Sequence, residues 1–307
     1  MSEKVTLKTT VCGAEFDNVL MNASGCLCKT KEELFFLDES DSGGMVTKTC
    51  TYEPRIGNEE PRYWHNDVLS INSMGLPNDG LDSYLNMSNF VGKPYFLSVS
   101  AGCVNQDLLT IVQSTYRNIK GVEINVSCPN LIGKSQIDYN FNNFDEFLRN
   151  LYQEEYDVPI GLKLSPYFSN EQFEKAADII NDYPISFLTT VNGLGNGLVI
   201  DYETEKPVIK PNSGLGGIGG NIIKPIGLSN TYKMSKLTNC EIIGCGGITS
   251  GKDAFEYILA GASAVQIGTQ LVREKYDVFS RINSELKEIM ANKGYDTIYD
   301  FKGGIKI

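Results

Sequence analysis

A rhythm of short apolar runs restricts this chain more than any other feature. Eight recur along the 307 residues: LMNAS (20–24), GMVTKT (44–49), YFLSVSA (95–101), VEINVS (122–127), IGLKLS (160–165), FLTTVN (187–192), EIIGCGG (241–247) and AVQIGTQ (264–270). They are nearly continuous in apolar character and seldom alternate with polar residues. Parallel strands buried on both faces read this way, whereas a half-exposed strand alternates. Helical patterns separate the runs. NEQFEKAADIIND (170–182) sets Phe173, Ala176, Ala177 and Ile180 on one face, and NQDLLTIVQSTYRN (105–118) does the same with Leu108, Ile111 and Val112. Segments 30–39, 144–156, 227–237, 251–261 and 280–294 fit the same period.

Eight strands alternating with helices over this length predict an α/β protein, a (β/α)8 TIM barrel. A doubly wound open sheet is the rival, and it lacks a dinucleotide-binding glycine fingerprint after the first strand. Two connections, about 50–94 and about 193–223, are longer than simple strand-to-helix loops. Long ordered loops in a compact domain are usually functional, which places them at the active site. No linker, repeat or low-complexity segment interrupts the chain, so residues 1–307 read as one domain.

The net charge is −11 and the pI about 4.7, a poor basis for binding nucleic acid or anionic membrane. No apolar run approaches the ~20 residues of a membrane span, and MSEKVTLKTT lacks the apolar core of a signal peptide. A cytoplasmic location is the expectation, and with it eight free thiols (12, 26, 28, 50, 103, 128, 240, 245). No CxxC pair occurs, which argues against a self-contained iron–sulfur or zinc site. His65 is the single histidine, so a Ser-His-Asp mechanism would have to use it.

In a TIM barrel the active site lies at the carboxyl ends of the strands. Here those ends are polar: Thr47-Lys48-Thr49 on strand two, Asn125, Ser127 and Cys128 on strand four, Lys163 on strand five, Asn192 on strand six. Strands seven and eight end in Gly246-Gly247 and Gly268-Thr269, where barrels often bind phosphate through backbone N–H groups. One such residue merely terminates a strand in most proteins. Two lysines inside apolar strands are harder to dismiss, because a buried ammonium needs an anion or a strong acceptor beside it. SGLGGIGG (213–220) reads as a second phosphate-type loop or as a flexible turn, and SINSMGLPN (70–78) by composition is only a loop. Cys128, in INVSCPN (124–130), leaves three readings open: filler, proton-transfer group or nucleophile.

NVSCPN, SINSMGLPN, TKT, GLKLSPYF, VNGLGNG, GGIGG, GCGGI and QIGTQ together resemble the dihydroorotate dehydrogenases, most closely the soluble class 1A enzymes, from MNASG (21–25) to the final FKGGIKI. The resemblance implies an FMN-dependent homodimer that oxidises dihydroorotate to orotate in pyrimidine synthesis, with fumarate reduced to succinate in the same pocket. It implies that Cys128 is the catalytic base. It implies substrate contacts from Lys48, Asn72, Met74, Gly75, Leu76, Asn125, Asn130 and Asn192. For FMN it implies Ala23, Ser24, Lys48, Thr49, Asn125, Lys163, Val191, Gly220, Gly246, Gly247, Gly268 and Thr269. A thiol of ordinary pKa ~8.5 serves as base where its surroundings favour thiolate. Lys48 would compensate the orotate carboxylate or flavin charge, and Lys163 the charge developing at the N1–C2 end of reduced flavin.

The chain departs from the family pattern at Gly193, where a serine hydroxyl usually helps bind substrate, and more mildly at Cys245, where threonine is common. Gly193 keeps open an FMN oxidoreductase acting on another dihydropyrimidine. A flavin-free barrel lyase using Lys163 or Lys48 as a Schiff base, and a non-catalytic phosphate-binding barrel, are the other readings. Arg55 and Arg62, on the first long connection, are second-tier candidates for covering the site. Trp64 and His65 read as surface or loop packing, and Cys50 lies close to Lys48 in sequence.

Overall fold

The computed structural model describes residues 5–116, 118–127, 136–153 and 155–306. Eight parallel strands form its centre: Leu20–Asn22, Met45–Val46, Tyr95–Ser100, Ile119–Asn125, Ile160–Leu164, Phe187–Thr190, Glu241–Cys245 and Ala264–Ile267. From the second to the eighth each pairs with the next, and the eighth pairs with the first. One parallel bridge, Met21 to Gly44, joins the first strand to the second. There the Asn22 side chain stands in for a neighbouring peptide: its oxygen accepts the Val46 N–H (2.9 Å) and its nitrogen donates to the Val46 carbonyl (2.8 Å). This is the (β/α)8 barrel read from the apolar runs. Only Lys120 is exposed and Glu241 half-buried among these strand residues, which explains the missing polar alternation.

Alternate residues of each strand point into the barrel. Its lower interior is aromatic. Phe96 and Phe187 meet edge to face at 5.5 Å, and Phe16 packs 6.0 Å from Phe96. Phe16 comes from an N-terminal hairpin, Thr9–Val11 with Ala14–Phe16, that sequence patterning did not predict. Glycine opposite these rings makes room for them, since a Cβ on Gly161 would lie 2.3 Å from the Phe187 ring. Above this plug the interior turns polar, with Glu123, Lys163, Thr189 and Gln266 all buried.

Helices cover the outside. Lys31–Glu39 starts at a capping box made by Thr30 and Glu33, and Asn170–Asn181 at one made by Ser169 and Gln172. Asn170–Asn181 buries Phe173, Ala176, Ala177 and Ile180, the face that its spacing predicts.

The two long connections meet each other. Leu194–Leu198, Leu215–Gly219, Ser70–Asn72 and Tyr63–His65 pair antiparallel, in that spatial order, as a four-stranded sheet. Parts of 70–78 and 213–220, read as loop or turn from composition, are therefore strands. Their glycines permit close approach: a Cβ on Gly216 would lie 2.5 Å from the Asn72 carbonyl oxygen.

Candidate active site

A cavity of about 410 Å3 opens at the carboxyl ends of the barrel strands. Ala23 and Ser24 reach it from the first strand, Lys48 and Thr49 from the second, Asn125 from the fourth and Lys163 from the fifth. Val191 and Asn192 follow the sixth strand, Gly246 and Gly247 the seventh, Gly268 and Thr269 the eighth. The four-stranded sheet and its flanks add Asn72, Met74, Leu76 and Gly220. Gly75 does not line the cavity; it takes φ +71° where a Cβ would lie 2.3 Å from the Asn58 side chain. Cys128 and Asn130 lie outside the described residues.

The two lysines differ sharply. Lys163 is 4% exposed and donates to Gln266 Oε1 at 2.7 Å. Gln266 Nε2 and Thr189 Oγ1 both donate to Glu123 Oε2, at 2.9 and 2.8 Å. Burial opposes the Lys163 ammonium, but Cys245 and Glu123 outweigh it and its pKa is raised. Lys163 therefore carries its charge into the cavity floor. Lys48 is also buried, yet among the described residues its ammonium has neither a hydrogen bond nor an ion pair. It lies over Gly25, where a Cβ would stand 2.8 Å from Nζ. A buried ammonium facing a cavity without a protein partner calls for an anionic ligand group.

Hydroxyls and amides connect the strand ends. Ser24 Oγ and Asn125 Nδ2 both meet Thr49 Oγ1, at 3.1 and 3.2 Å. Asn125 Oδ1 accepts the Ser127 N–H and hydroxyl, each at 3.2 Å, and Asn192 Nδ2 donates to Ser127 Oγ at 3.0 Å. Thr269 Oγ1 and Ser70 Oγ lie 2.8 Å apart and tie the eighth strand end to the covering sheet. Gly246 and Gly247 adopt φ +126° and +70°, and a Cβ on Gly247 would lie 2.7 Å from Lys224 Cβ. Both line the cavity in conformations that favour glycine, where backbone can approach a ligand closely.

Two thiols line the cavity. Burial pushes Cys26 up to about 11 despite Lys48 nearby, and burial raises Cys245 although Lys163 partly offsets it. Neither is a ready thiolate. Cys50 is fully buried and raised by burial, and it does not line the cavity. All seven described cysteines are free. Arg55 and Arg62 brace the covering segment from behind: Arg62 donates to the Ile56 and Asn58 carbonyls at 2.7 and 3.0 Å, Arg55 to the Gly75 carbonyl at 3.4 Å. His65 is exposed and Trp64 half-buried, and neither lines the cavity.

Sequence reasoning missed four contributors. Glu123 and Gln266 sit inside apolar runs as the lysines do, and their polarity there was the available signal. Tyr63 lines the cavity with a buried hydroxyl beside Ser70. Arg273 at the rim pairs with Asp67 at 2.6 Å, a contact across 206 residues that no local pattern announces.

A family model described as dihydroorotate dehydrogenase matches residues 6–290. The chain belongs to the dihydroorotate dehydrogenase family. It is 44% identical over 311 residues to a Trypanosoma brucei brucei protein named dihydroorotate dehydrogenase (fumarate), covering 98% of this chain and 99% of that one. It is 48% identical over 309 residues to a Streptococcus agalactiae protein whose provisional name is dihydroorotate dehydrogenase A (fumarate), covering 97% and 98%. Two Eimeria tenella DHODH crystal structures share the fold. The ligand-free one has a TM-score of 0.79 at 22% identity, covering 99% of this chain and 93% of that one. The ferulenol complex has a TM-score of 0.74 at 24% identity, covering 97% and 88%. Among the described residues of this dihydroorotate dehydrogenase family member, no helix is long and apolar enough to cross a membrane.

Proposed function

We propose that this protein oxidises dihydroorotate to orotate with bound FMN, and that fumarate re-oxidises the cofactor. The observation that carries the reading is the buried Lys48 ammonium, without a hydrogen bond or ion pair among the described residues, in a cavity floored by Lys163 and rimmed by Asn72, Asn125 and Asn192. Family membership and the names of the relatives support the same chemistry. The residues suit a flavin phosphate: Gly246 and Gly247 line the cavity after the seventh strand at φ +126° and +70°, conformations that favour glycine and let backbone approach a ligand closely.

The substrate must lose a proton from C5 and a hydride from C6. Bound flavin supplies the hydride acceptor. Cys128 is the proposed proton acceptor, next in sequence to Ser127, which Asn125 and Asn192 hold by hydrogen bonds. The amides of Asn72, Asn125, Asn130 and Asn192 are suited to the donor and acceptor pattern of a pyrimidine edge. Lys48 pairs with the substrate carboxylate or with flavin charge. Lys163, charged and held by Gln266, keeps a positive field where negative charge develops.

The same proposal takes residues 1–307 as one cytoplasmic domain that forms a homodimer. Leu198, Ile200 and Tyr202, on the excursion after the sixth strand, are 49%, 58% and 84% exposed, an apolar face that a second copy would cover.

The test starts with freshly purified protein. Heat should release FMN in stoichiometric amount, and anaerobic dihydroorotate should bleach the flavin. Cys128→Ala should keep FMN and slow bleaching by ~10²- to 10⁴-fold, the usual worth of a general base. Cys128→Ser should retain some activity at high pH. Released FAD, or absence of flavin, would sink the cofactor reading; bleaching at an unchanged rate in Cys128→Ala would remove the base.

A further inference from the structure

Asp138 is fully buried in the 3-10 turn Ile137–Tyr139, and the function proposed above gives it no role. Its Oδ2 accepts the Ser165 N–H at 2.5 Å and its Oδ1 accepts the Ser165 hydroxyl at 2.7 Å. Ser165 directly follows the fifth strand, two residues beyond Lys163. Gln136 Nε2 donates both to Ser165 Oγ (3.0 Å) and to the Ser127 carbonyl (3.2 Å). The Ile137 N–H donates to the Val126 carbonyl at 3.1 Å. Asp138 thus sits at the centre of a network linking the ends of the fourth and fifth strands, and Asn192 extends it to the sixth.

A carboxyl is a costly choice for such a place. Among the described residues no cation pairs with Asp138, and the titratable groups facing it are Tyr139 and Tyr167. Burial pushes its carboxyl up to about 7, against the lowering effect of the two Ser165 bonds. Ionised, it accepts both bonds while the Ser165 hydroxyl accepts from Gln136. Protonated, it donates to a hydroxyl that Gln136 already uses, and the Ser165 proton must turn from the carboxylate to the Tyr139 oxygen.

We propose that Asp138 is a positioning residue that, through Ser165 and Gln136, holds Ser127, the residue bonded to the proposed base Cys128, in fixed relation to Lys163. This rests on the function proposed above. It makes the ionised carboxylate the competent state of the anchor, so proton abstraction gains an acidic limb that does not belong to the thiol.

The test is stopped-flow flavin reduction by dihydroorotate across pH, with orotate affinity and FMN content measured alongside. Asp138→Asn, nearly isosteric, should lower the rate at saturating substrate by ~10- to 100-fold, the scale of a displaced catalytic group. Orotate affinity and FMN content should stay unchanged. The wild-type inflection near pH 7 should vanish in this variant. Ser165→Ala keeps the carboxylate but removes one stabilising donor; it should slow reduction less and move the inflection upward. Wild-type rates and pH profiles in both variants would overturn the proposal. If wild-type flavin is not reduced by dihydroorotate, the functional reading fails separately. The anchor is then judged by hydrogen exchange at the Ser165 and Ile137 amides. Protection lost in Asp138→Asn supports it, and equal protection overturns it.

Discussion

Lys48 and Lys163 are one residue type in two electrostatic situations, a difference that suits the first to a ligand's charge and the second to a fixed field. Lys163 has Gln266 and Glu123 behind it; Lys48 has no protein partner among the described residues. Gly193 is the more marked of the two departures, with Cys245, from the pattern that the family resemblance implies. It lines the cavity, and its N–H donates to Asn192 Oδ1 at 2.9 Å. Sequence alone suggests that restoring serine there tightens orotate. A Cβ at Gly193, however, would lie 3.0 Å from the Ile218 carbonyl oxygen, so serine adds a hydroxyl and a crowded contact together. Gly193→Ala isolates the crowding. Gly193→Ser should bind orotate roughly 2- to 13-fold tighter than Gly193→Ala, the worth of one neutral hydrogen bond. Equal affinities in a titration would show that the hydroxyl does not reach the ligand. Asp138 also has a stability signature. Its folded-state pKa of about 7 lies above the unfolded value of ~3.9, so between those values the folded chain holds a proton that the unfolded chain has released. Its contribution therefore becomes unfavourable as pH rises from ~4 to ~7, by on the order of 4 kcal/mol. Urea midpoints of Asp138→Asn should gain on wild type across that window. Parallel curves would mean that the carboxyl titrates normally.

At the scale of elements the barrel is closed by one backbone bridge, Met21 to Gly44, and by a side chain. The second strand has only two residues, and Asn22 supplies the peptide-like pair that extends its contact with the first. Asn22→Ala would leave the buried Val46 N–H and carbonyl without those partners, at roughly 1–3 kcal/mol each. Urea unfolding should show a loss of that order, and an unchanged midpoint would place closure elsewhere. The eight barrel strands were legible because burial on both faces leaves a continuous apolar run, and the helix Asn170–Asn181 because its polar and apolar faces separate. The covering sheet was not legible. Its inner strand, Leu215–Gly219, is mostly glycine, and its Ser70–Asn72 partner lies far away in sequence, so the pairing is encoded by permitted close approach instead of apolar periodicity. The short helices Leu81–Met87 and Thr269–Glu274 offered too few turns for a period to emerge. The lining of the cavity was legible in its strand-end lysines, asparagines and glycines. The Asp138–Ser165 link was not, because neither residue interrupts a pattern.

At the scale of the whole molecule, a chain of net charge −11 carries two buried lysines at one cavity, so the cavity is locally opposite in sign to its carrier. That contrast bears on the electron acceptor. Orotate and fumarate are both small planar carboxylates, and Lys48 is the buried ammonium of the cavity that lacks a partner among the described residues. One site should therefore receive both in turn, the oxidised product leaving before the acceptor enters. Fumarate should re-oxidise the reduced enzyme rapidly, and orotate should inhibit that step competitively. Replacing the ammonium by an apolar side chain of similar length, Lys48→Met, removes a charge-assisted bond from either ligand. Both affinities should fall by roughly 10- to 150-fold, and by similar factors. Stopped-flow re-oxidation with orotate as competitor measures both. A large loss for orotate with none for fumarate would put the acceptor in a different place. Rapid re-oxidation by NAD with none by fumarate would overturn the acceptor altogether.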